Sequence, residues 1–282
     1  MHVVVITKNT PDTAANVTVK GDGTIDWGST LVVNPWDEYA ITEAVLLKGA
    51  HNGTATILTV GGEEHSEALK HGLAIGCDQA IRVWDEALAG ADSLAYAEAV
   101  AAAIRKLGDV DLILFGREFA DTATDQHIYQ VARKLGWTML GSVAKIDALD
   151  AAAKTIRVTR QTEHGAQTVS SALPAVVSVL KDINEPKYPT FIGIRKAAKA
   201  EMPVWSAADL GLDASALQPR AQQLRYQTLP VREGTVEMIA EPQKNLFYRI
   251  LGDECGYPIE GDFHLVSIIK ELVAAKREYD KL

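Results

Sequence analysis

The sequence predicts an α/β fold: a mostly parallel twisted sheet with helices on both faces, then an antiparallel extension and an extended C-terminal arm. Three observations predict it. Short β-branched runs alternate with helical patterns as far as Leu135. Beyond Val143 the strand-like runs continue but the helices between them stop. After Asp213 the texture turns to Pro, Gly and polar residues around a single convincing helix. The first of these patterns is that of βαβ units, whose crossover helices cover a parallel sheet.

The elements follow in order. "HVVVIT" (His2–Thr7) is a short β-branched run that reads as a buried strand. "NPWDEYAITEAVLLKG" starts a helix with Asn34 as N-cap, Pro35 at the first helical position and Asp37 three residues past the cap. Ala40, Ile41, Ala44 and Val45 form its apolar stripe, and Gly49 can end it. "TATILTVGG" (Thr54–Gly62) is a second strand, followed by an acidic helix start at Glu63 and Glu64. "AIRVW" (Ala80–Trp84) is a third, and an Ala-rich helix runs from Ser93 to Leu107. "DLILFG" (Asp111–Gly116) is a fourth strand, and a helix around Asp125–Leu135 follows it. Next, "TIRVTRQ" alternates faces, "HGA" marks a hairpin tip, and "LPAVVSVL" is a buried strand entered through Pro174. The last helix is "HLVSIIKELVAAKREYD" (His264–Asp280). The segment holding it lacks apolar mass for its own core. The expected organisation is therefore an α/β domain over 1–205 and an arm over 206–282 lying on another surface.

Bulk properties exclude several classes. A chain of 282 residues with 47% hydrophobic and 23% charged residues can bury a large core. A net charge of −9 argues against general nucleic-acid binding and against docking on anionic lipid. No apolar run is long enough to insert in a membrane, and the N-terminus lacks a signal peptide's basic start and apolar middle. The expected location is cytoplasmic, or the mitochondrial matrix in a eukaryote. Cys77 and Cys255 cannot make a metal site alone and read as buried or idle thiols rather than a disulfide.

The usual phosphate loops are absent, as are H-E-x-x-H, G-x-S-x-G and C-x-x-C, so the sequence nominates no catalytic residue and no metal ligand. In a parallel sheet, ligands bind at the carboxyl ends of the strands, where helix N-termini offer free N–H groups. The loops expected there are Thr7-Lys8-Asn9, Val60-Gly61-Gly62 and Gly116 to Gln126, joined by the helix start at Asn34-Pro35. They supply hydroxyls (Thr122, Thr124), amides (Asn34, Gln126) and carboxylates suited to a ribose (Asp121, Asp125). Ordinary capping and turn chemistry accounts for the same residues. A second feature is "INEPKYPTFIGIRKAAKAEMP" (Ile183–Pro203), in which the stretch Lys187–Lys199 carries Lys187, Arg195, Lys196 and Lys199 and no acid. Tyr188, Phe191, Ile192 and Ile194 supply apolar tips, braced by Pro186 and Pro189. In an acidic chain this segment points to one specific partner: apolar burial supplies affinity and charge steers encounter.

"NPWDEYAITEAVLLK", "EALKHGLAIGCDQAIRVWD", "VDLILFGREFADTATDQ" and "LPAVVSVLKDINEPKYPT" resemble, in order, landmark segments of the β-subunit of electron transfer flavoprotein, from the first strand to about Leu212. The resemblance implies an adenine-nucleotide-hydrolase-like sheet and a heterodimer with a larger α-subunit. It implies an FAD mainly on the α-subunit near the interface, and an AMP of structural role in the β-subunit. A second FAD replaces that AMP in electron-bifurcating members. The implied function is that of an electron carrier without side-chain catalysis. It would accept electrons from flavin dehydrogenases of acyl-CoA dehydrogenase type through the FAD of the αβ dimer and pass them to a quinone-linked acceptor. The implied nucleotide contacts are Ile6, Thr7 and Lys8; Asn34, Pro35, Trp36 and Asp37; Val60 and Gly61; and Gly116, Asp121, Thr122, Thr124, Asp125, Gln126, His127 and Ile128. After Gln126, AMP-binding members carry Thr-Gly and bifurcating members Val-Gly-Pro; here His127 and Ile128 follow, which favours AMP or another adenine nucleotide but leaves FAD and an empty site open. The implied partner contacts are Tyr188, Phe191, Ile192, Ile194, Arg195, Lys196 and Lys199, with Phe191 as the anchor. Leu is usual at the anchor, and Pro at the position of Ile192. The tail is implied to wrap the α-subunit, with an unusual excess around Glu241–Asp262. The rival of another class is a universal-stress-type nucleotide sensor, which shares the sheet but gives no reason for "NEPKYP".

Overall fold

Strand β1 (His2–Ile6) lies at the heart of a nine-stranded sheet, with β6 (Thr54–Val60) on one side and β8 (Leu112–Phe115) on the other. The computed structural model describes residues 1–230 except 29, 222, 223 and 229. The chain divides into two units, Met1–Gln227 and Thr228–Leu282, and the description that follows is of the first. The helix expected at His264–Asp280, the excess at Glu241–Asp262 and Cys255 lie outside the described residues.

Between β1 and β6 come β2 (Asn9–Pro11), β3 (Thr18–Val19), β4 (Ile25–Asp26), β5 (Leu31–Val33) and helix α1 (Pro35–Ala50). Then follow α2 (Ser66–Ile75), β7 (Gln79–Val83), α3 (Ser93–Leu107), and, after β8, α4 (Gln126–Leu135). The second half contains β9 (Thr138–Asp150), β10 (Thr155–Thr162), β11 (Gly165–Ala172), β12 (Ala175–Val179), α5 (Phe191–Ala197) and β13 (Val204–Trp205). The sheet order is β11-β10-β9-β12-β8-β1-β6-β7-β13. All pairings from β9 to β13 along this order are parallel, and β10 and β11 add the expected antiparallel extension. Strand β9 joins the two regimes: Thr138 to Leu140 run parallel to β12, while Lys145 and Ile146 run antiparallel to β10.

The helices cover both faces, as β-branched strands flanked by βαβ crossovers require. Val3, Val5, Ala55 and Ile57 pack under Ala40, Ile41 and Ala44 of α1 and Leu69 of α2. Val4, Ile6, Leu58, Ile113 and Phe115 pack under Ala99 and Val100 of α3 and Val131 of α4. Each fully buried branched side chain contributes roughly 1.5–3 kcal/mol, so the central strands are the best-anchored part of the unit. Cys77 is a buried free thiol, pushed up to about 12 by desolvation.

Three features differ from the expectations. Asn9–Pro11 pairs with Leu31–Val33, and Thr18–Val19 with Ile25–Asp26, as two small antiparallel ribbons. Residues 191–197 form a helix, not a loop. The boundary expected at 205 falls inside the first unit, because β13 pairs with β7 and Ala207 and Leu217 are buried in its core. Asp92, the N-cap of α3, holds this stretch from its far side. One of its oxygens accepts from Leu94 and Ala95, the other from the backbone of Arg220 and Ala221 at 2.7 and 3.0 Å.

Candidate functional site

Most of the residues singled out for a ligand meet at the carboxyl ends of β1, β6 and β8. Ile6, Thr7 and Val60 are buried there, and the Thr7 N–H continues the ladder by donating to the Leu58 carbonyl. The Lys8 backbone N–H donates to Asp37 Oδ2. Its ammonium lies 2.7 Å from Asp121 Oδ2 and 4.5 Å from the Phe119 ring centroid. Asn34 holds the N-cap position, but its side chain does not cap α1. Its Nδ2 donates to the Glu118 carbonyl (2.9 Å) and its Oδ1 accepts from the Ala120 N–H (3.1 Å), tying the loop after β8 to the start of α1. Pro35 follows at the first helical position, and the Arg117 guanidinium stacks over Trp36.

Gly116 makes this closure possible. A Cβ there would lie 2.5 Å from Asp37 Oδ1 and 2.6 Å from the Trp36 carbonyl carbon, so no other residue fits without displacement. Asp37 itself is 2% exposed, and desolvation raises its carboxyl to about 7. Gly61 turns with φ +152° against the His65 ring, whose Nδ1 accepts the Asn9 backbone N–H. On the loop above, the Thr122 and Thr124 hydroxyls are 2.8 Å apart, and the Phe119 N–H donates to the Thr124 carbonyl. Thr122, Asp125 and Gln126 are exposed.

At the start of α4 the structure departs from the expected ligand set. His127 is only 2% exposed, with its ring stacked on Phe119 at 3.9 Å and an interplanar angle of 7°. Phe115 and Tyr96 meet its ring edge-on at 5.7 and 5.6 Å. Burial lowers the imidazole to about 3, so it is neutral. Ile128 is buried beside it in the core. Contrary to expectation, both side chains face inward and neither is offered to a ligand. The signal lay in the spacing, since His127, Ile128, Val131 and Ala132 share the buried face of one helix.

An AMP in the family's manner does not fit these residues. Asn34, Lys8, Asp121, Thr122 and Thr124 are engaged with one another or with the local backbone, and the stack fills the space beside them. Thr7 Oγ1, Asn9 Oδ1, Thr10 Oγ1, Thr59 Oγ1 and Tyr96 Oη are buried polar atoms with no partner among the described residues. Thr59 alternates with Ala55 and Ile57 on the α1–α2 side of the sheet, opposite the stack.

The segment after β12 forms a separate surface. Its base is fixed to α1: Asn184 Nδ2 donates to the Tyr39 carbonyl and to Glu43 Oε2, and the Lys187 N–H donates to Thr42 Oγ1. Thr190 caps α5 by accepting from the Gly193 N–H at 3.0 Å. Gly193 rests on α2 so closely that a Cβ would collide with the Ala74 carbonyl, and Ala197 is buried at the same junction. Away from this seat the segment is exposed: Tyr188, ahead of α5, is 92%, and Phe191, Ile192 and Ile194 on it are 74%, 80% and 50% exposed. Arg195, Lys196 and Lys199 are exposed around them. A groove of about 580 Å³ runs between α5 and β5, lined among others by Leu31, Val33, His71, Pro189 and Ile194.

No helix among the described residues is long and apolar enough to cross a membrane. Among them, no group of three or more His, Cys, Asp or Glu could hold a metal ion.

The family model described as the electron transfer flavoprotein domain matches residues 25–210. A second model, that of the stage IV sporulation protein A middle domain, matches residues 167–282, less than half of the chain. Protein FixA of Azorhizobium caulinodans is 34% identical over 218 residues, covering 76% of this chain and 78% of the relative. The electron transfer flavoprotein subunit beta of Bacillus subtilis is 32% identical over 245 residues, 86% of this chain and 93% of the relative. The caffeyl-CoA reductase-Etf complex subunit CarD of Acetobacterium woodii is 33% identical over 243 residues, 85% and 92% respectively.

Proposed function

The chain belongs to the electron transfer flavoprotein family as a β-type subunit, and on that premise we propose that it pairs with an α-subunit and relays electrons from flavin dehydrogenases of acyl-CoA dehydrogenase type to a quinone-linked acceptor. FAD, held mainly by the α-subunit near the interface, supplies the redox chemistry when bound. This chain contributes binding and orientation, and none of its side chains serves as acid or base. The reading implies the cytoplasm, or the mitochondrial matrix in a eukaryote, and gives the C-terminal arm, expected over 206–282, the contact with the α-subunit.

The observation that carries the reading is α5. Tyr188, just before α5, and Phe191, Ile192 and Ile194 on it are large apolar side chains left exposed on a segment fixed at its base, which suits an interaction site. Arg195, Lys196 and Lys199 ring it with positive charge on a chain of net −9. A donor dehydrogenase with an apolar pocket and an acidic rim is its complement.

Phe191 is the proposed anchor. Its burial in the partner is worth roughly 1.5–3 kcal/mol, so Phe191→Ala slows electron transfer from the dehydrogenase by roughly ten- to a hundredfold at sub-saturating carrier. Flavin content stays unchanged. Stopped-flow reduction of the purified dimer by the donor measures both, and an unaltered rate removes Phe191 from the anchor role. A universal-stress-type sensor needs no redox partner, so co-purification with an FAD-bearing α-subunit separates that reading from this one.

A further inference from the structure

Resting on the β-subunit reading, we propose that the strand-end site of this subunit is filled by its own Phe119–His127 stack, so that the subunit holds no adenine nucleotide and the dimer carries a single FAD. The consequence is a one-flavin carrier. A bifurcating flavoprotein needs a second flavin in this position, and here the position is taken.

Three observations converge on this. The first is space. The His127 ring lies parallel to Phe119 at 3.9 Å, enclosed by Phe115 and Tyr96, so the aromatic face a purine would stack on is already covered. The second is polarity. Both ends of the Asn34 amide are bonded to the backbone of Glu118 and Ala120, and the Thr122 and Thr124 hydroxyls are bonded to each other. The third is charge. Lys8, just past the end of β1, is paired with Asp121 at 2.7 Å and lies against the Phe119 ring. A phosphate would have to break that pair and then sit close to the displaced carboxylate.

The loop cannot simply lift away. Asn34 ties it to α1, and Gly116 seats α1 against the end of β8 with no room for a methyl group. Displacing a buried stacked pair and an ion pair costs an incoming nucleotide about two orders of magnitude in affinity. The unpartnered hydroxyls of Thr7, Thr10, Thr59 and Tyr96 do not restore the site. Thr59 lies across the sheet from the stack, and none of these hydroxyls carries the charge a phosphate needs.

The test uses the full chain co-expressed with its α-partner. Nucleotides released by acid from the purified dimer are separated and quantified. The expected result is one FAD and no AMP per dimer; an AMP, or a second FAD, overturns the proposal. In parallel, the purified chain is titrated with AMP by calorimetry, where wild type shows no saturable binding in the micromolar range. The double substitution Phe119→Ala with His127→Thr opens the space, and AMP affinity rises at least tenfold. Wild type binding AMP as tightly as the variant would also overturn the proposal. Should the variant fail to fold, the wild-type stoichiometry and titration decide alone. If no flavin-bearing partner is recovered, the β-subunit reading falls, while the AMP titration still reads the proposal made here.

Discussion

Gly116 and Asp37 form one contact with two separable consequences. A methyl group at 116 meets the carboxylate and backbone of the α1 start, so Gly116→Ala costs roughly 1–3 kcal/mol by overpacking. Urea denaturation measures it, and an unmoved midpoint would mean that the α1 start yields freely. Asp37 sets a pH dependence. Its folded value of about 7 lies above the ordinary 3.8, so between these values the folded chain keeps a proton that the unfolded chain has released. The stability from this group is therefore full below the unfolded value, declines as pH rises and is lost above about 7. Asp37→Asn removes the decline, so the loss in urea midpoint between about pH 5 and about pH 8 is smaller in the variant; an equal loss in both would clear Asp37 of the effect. The sequence marked both residues as belonging to one site but could not say how they meet. Asn34 was legible as an N-cap by type and position, yet its amide serves a loop more than eighty residues on, and no local signal encodes that.

Elements with strong periodicity were legible almost to the residue. The Ala-rich helix was expected at Ser93–Leu107 and is found there, because Asp92 caps it and Gly108 ends it. The ribbons between residues 9 and 33 went unseen because strands of two or three residues carry no alternation to read. Helix α5 was hidden for another reason: seven residues with an internal glycine and Pro189 just before the cap lack helical propensity. What stabilises it is tertiary, the seat of Gly193 on the Ala74 carbonyl and of Ala197 against α2. Gly193→Ala therefore loosens α5 without touching the strand ends. Hydrogen exchange in α5 should speed up and electron transfer from the donor slow several-fold, with FAD retained. If exchange and rate both match wild type, α5 does not depend on that seat.

At the level of the whole molecule, a net charge of −9 and the cationic helix proposed to dock the donor predict an encounter sensitive to salt. The Debye length shortens from about 10 Å at 0.1 M salt to about 3 Å at 1 M, so the attraction of Arg195, Lys196 and Lys199 for an acidic partner is screened. The bimolecular rate of reduction should fall with ionic strength, and substituting the three cations by Gln should flatten that dependence. A slope unchanged by the substitution would place the steering charge elsewhere. The sheet order was only partly legible. Parallel pairing followed from the alternation, but the way β9 leaves β12 to join β10 depends on bulges no pattern announces.

The segment proposed to dock the donor is fastened at both ends. Asn184 and Lys187 bind it to α1 before it leaves, and β13 pairs with β7 where it returns. Its shape is thus settled before any partner arrives, and association asks for little further loss of chain entropy. Under the docking role proposed above, a segment already held in shape binds its donor without first having to order itself, so the two fastenings serve both the speed and the strength of the encounter.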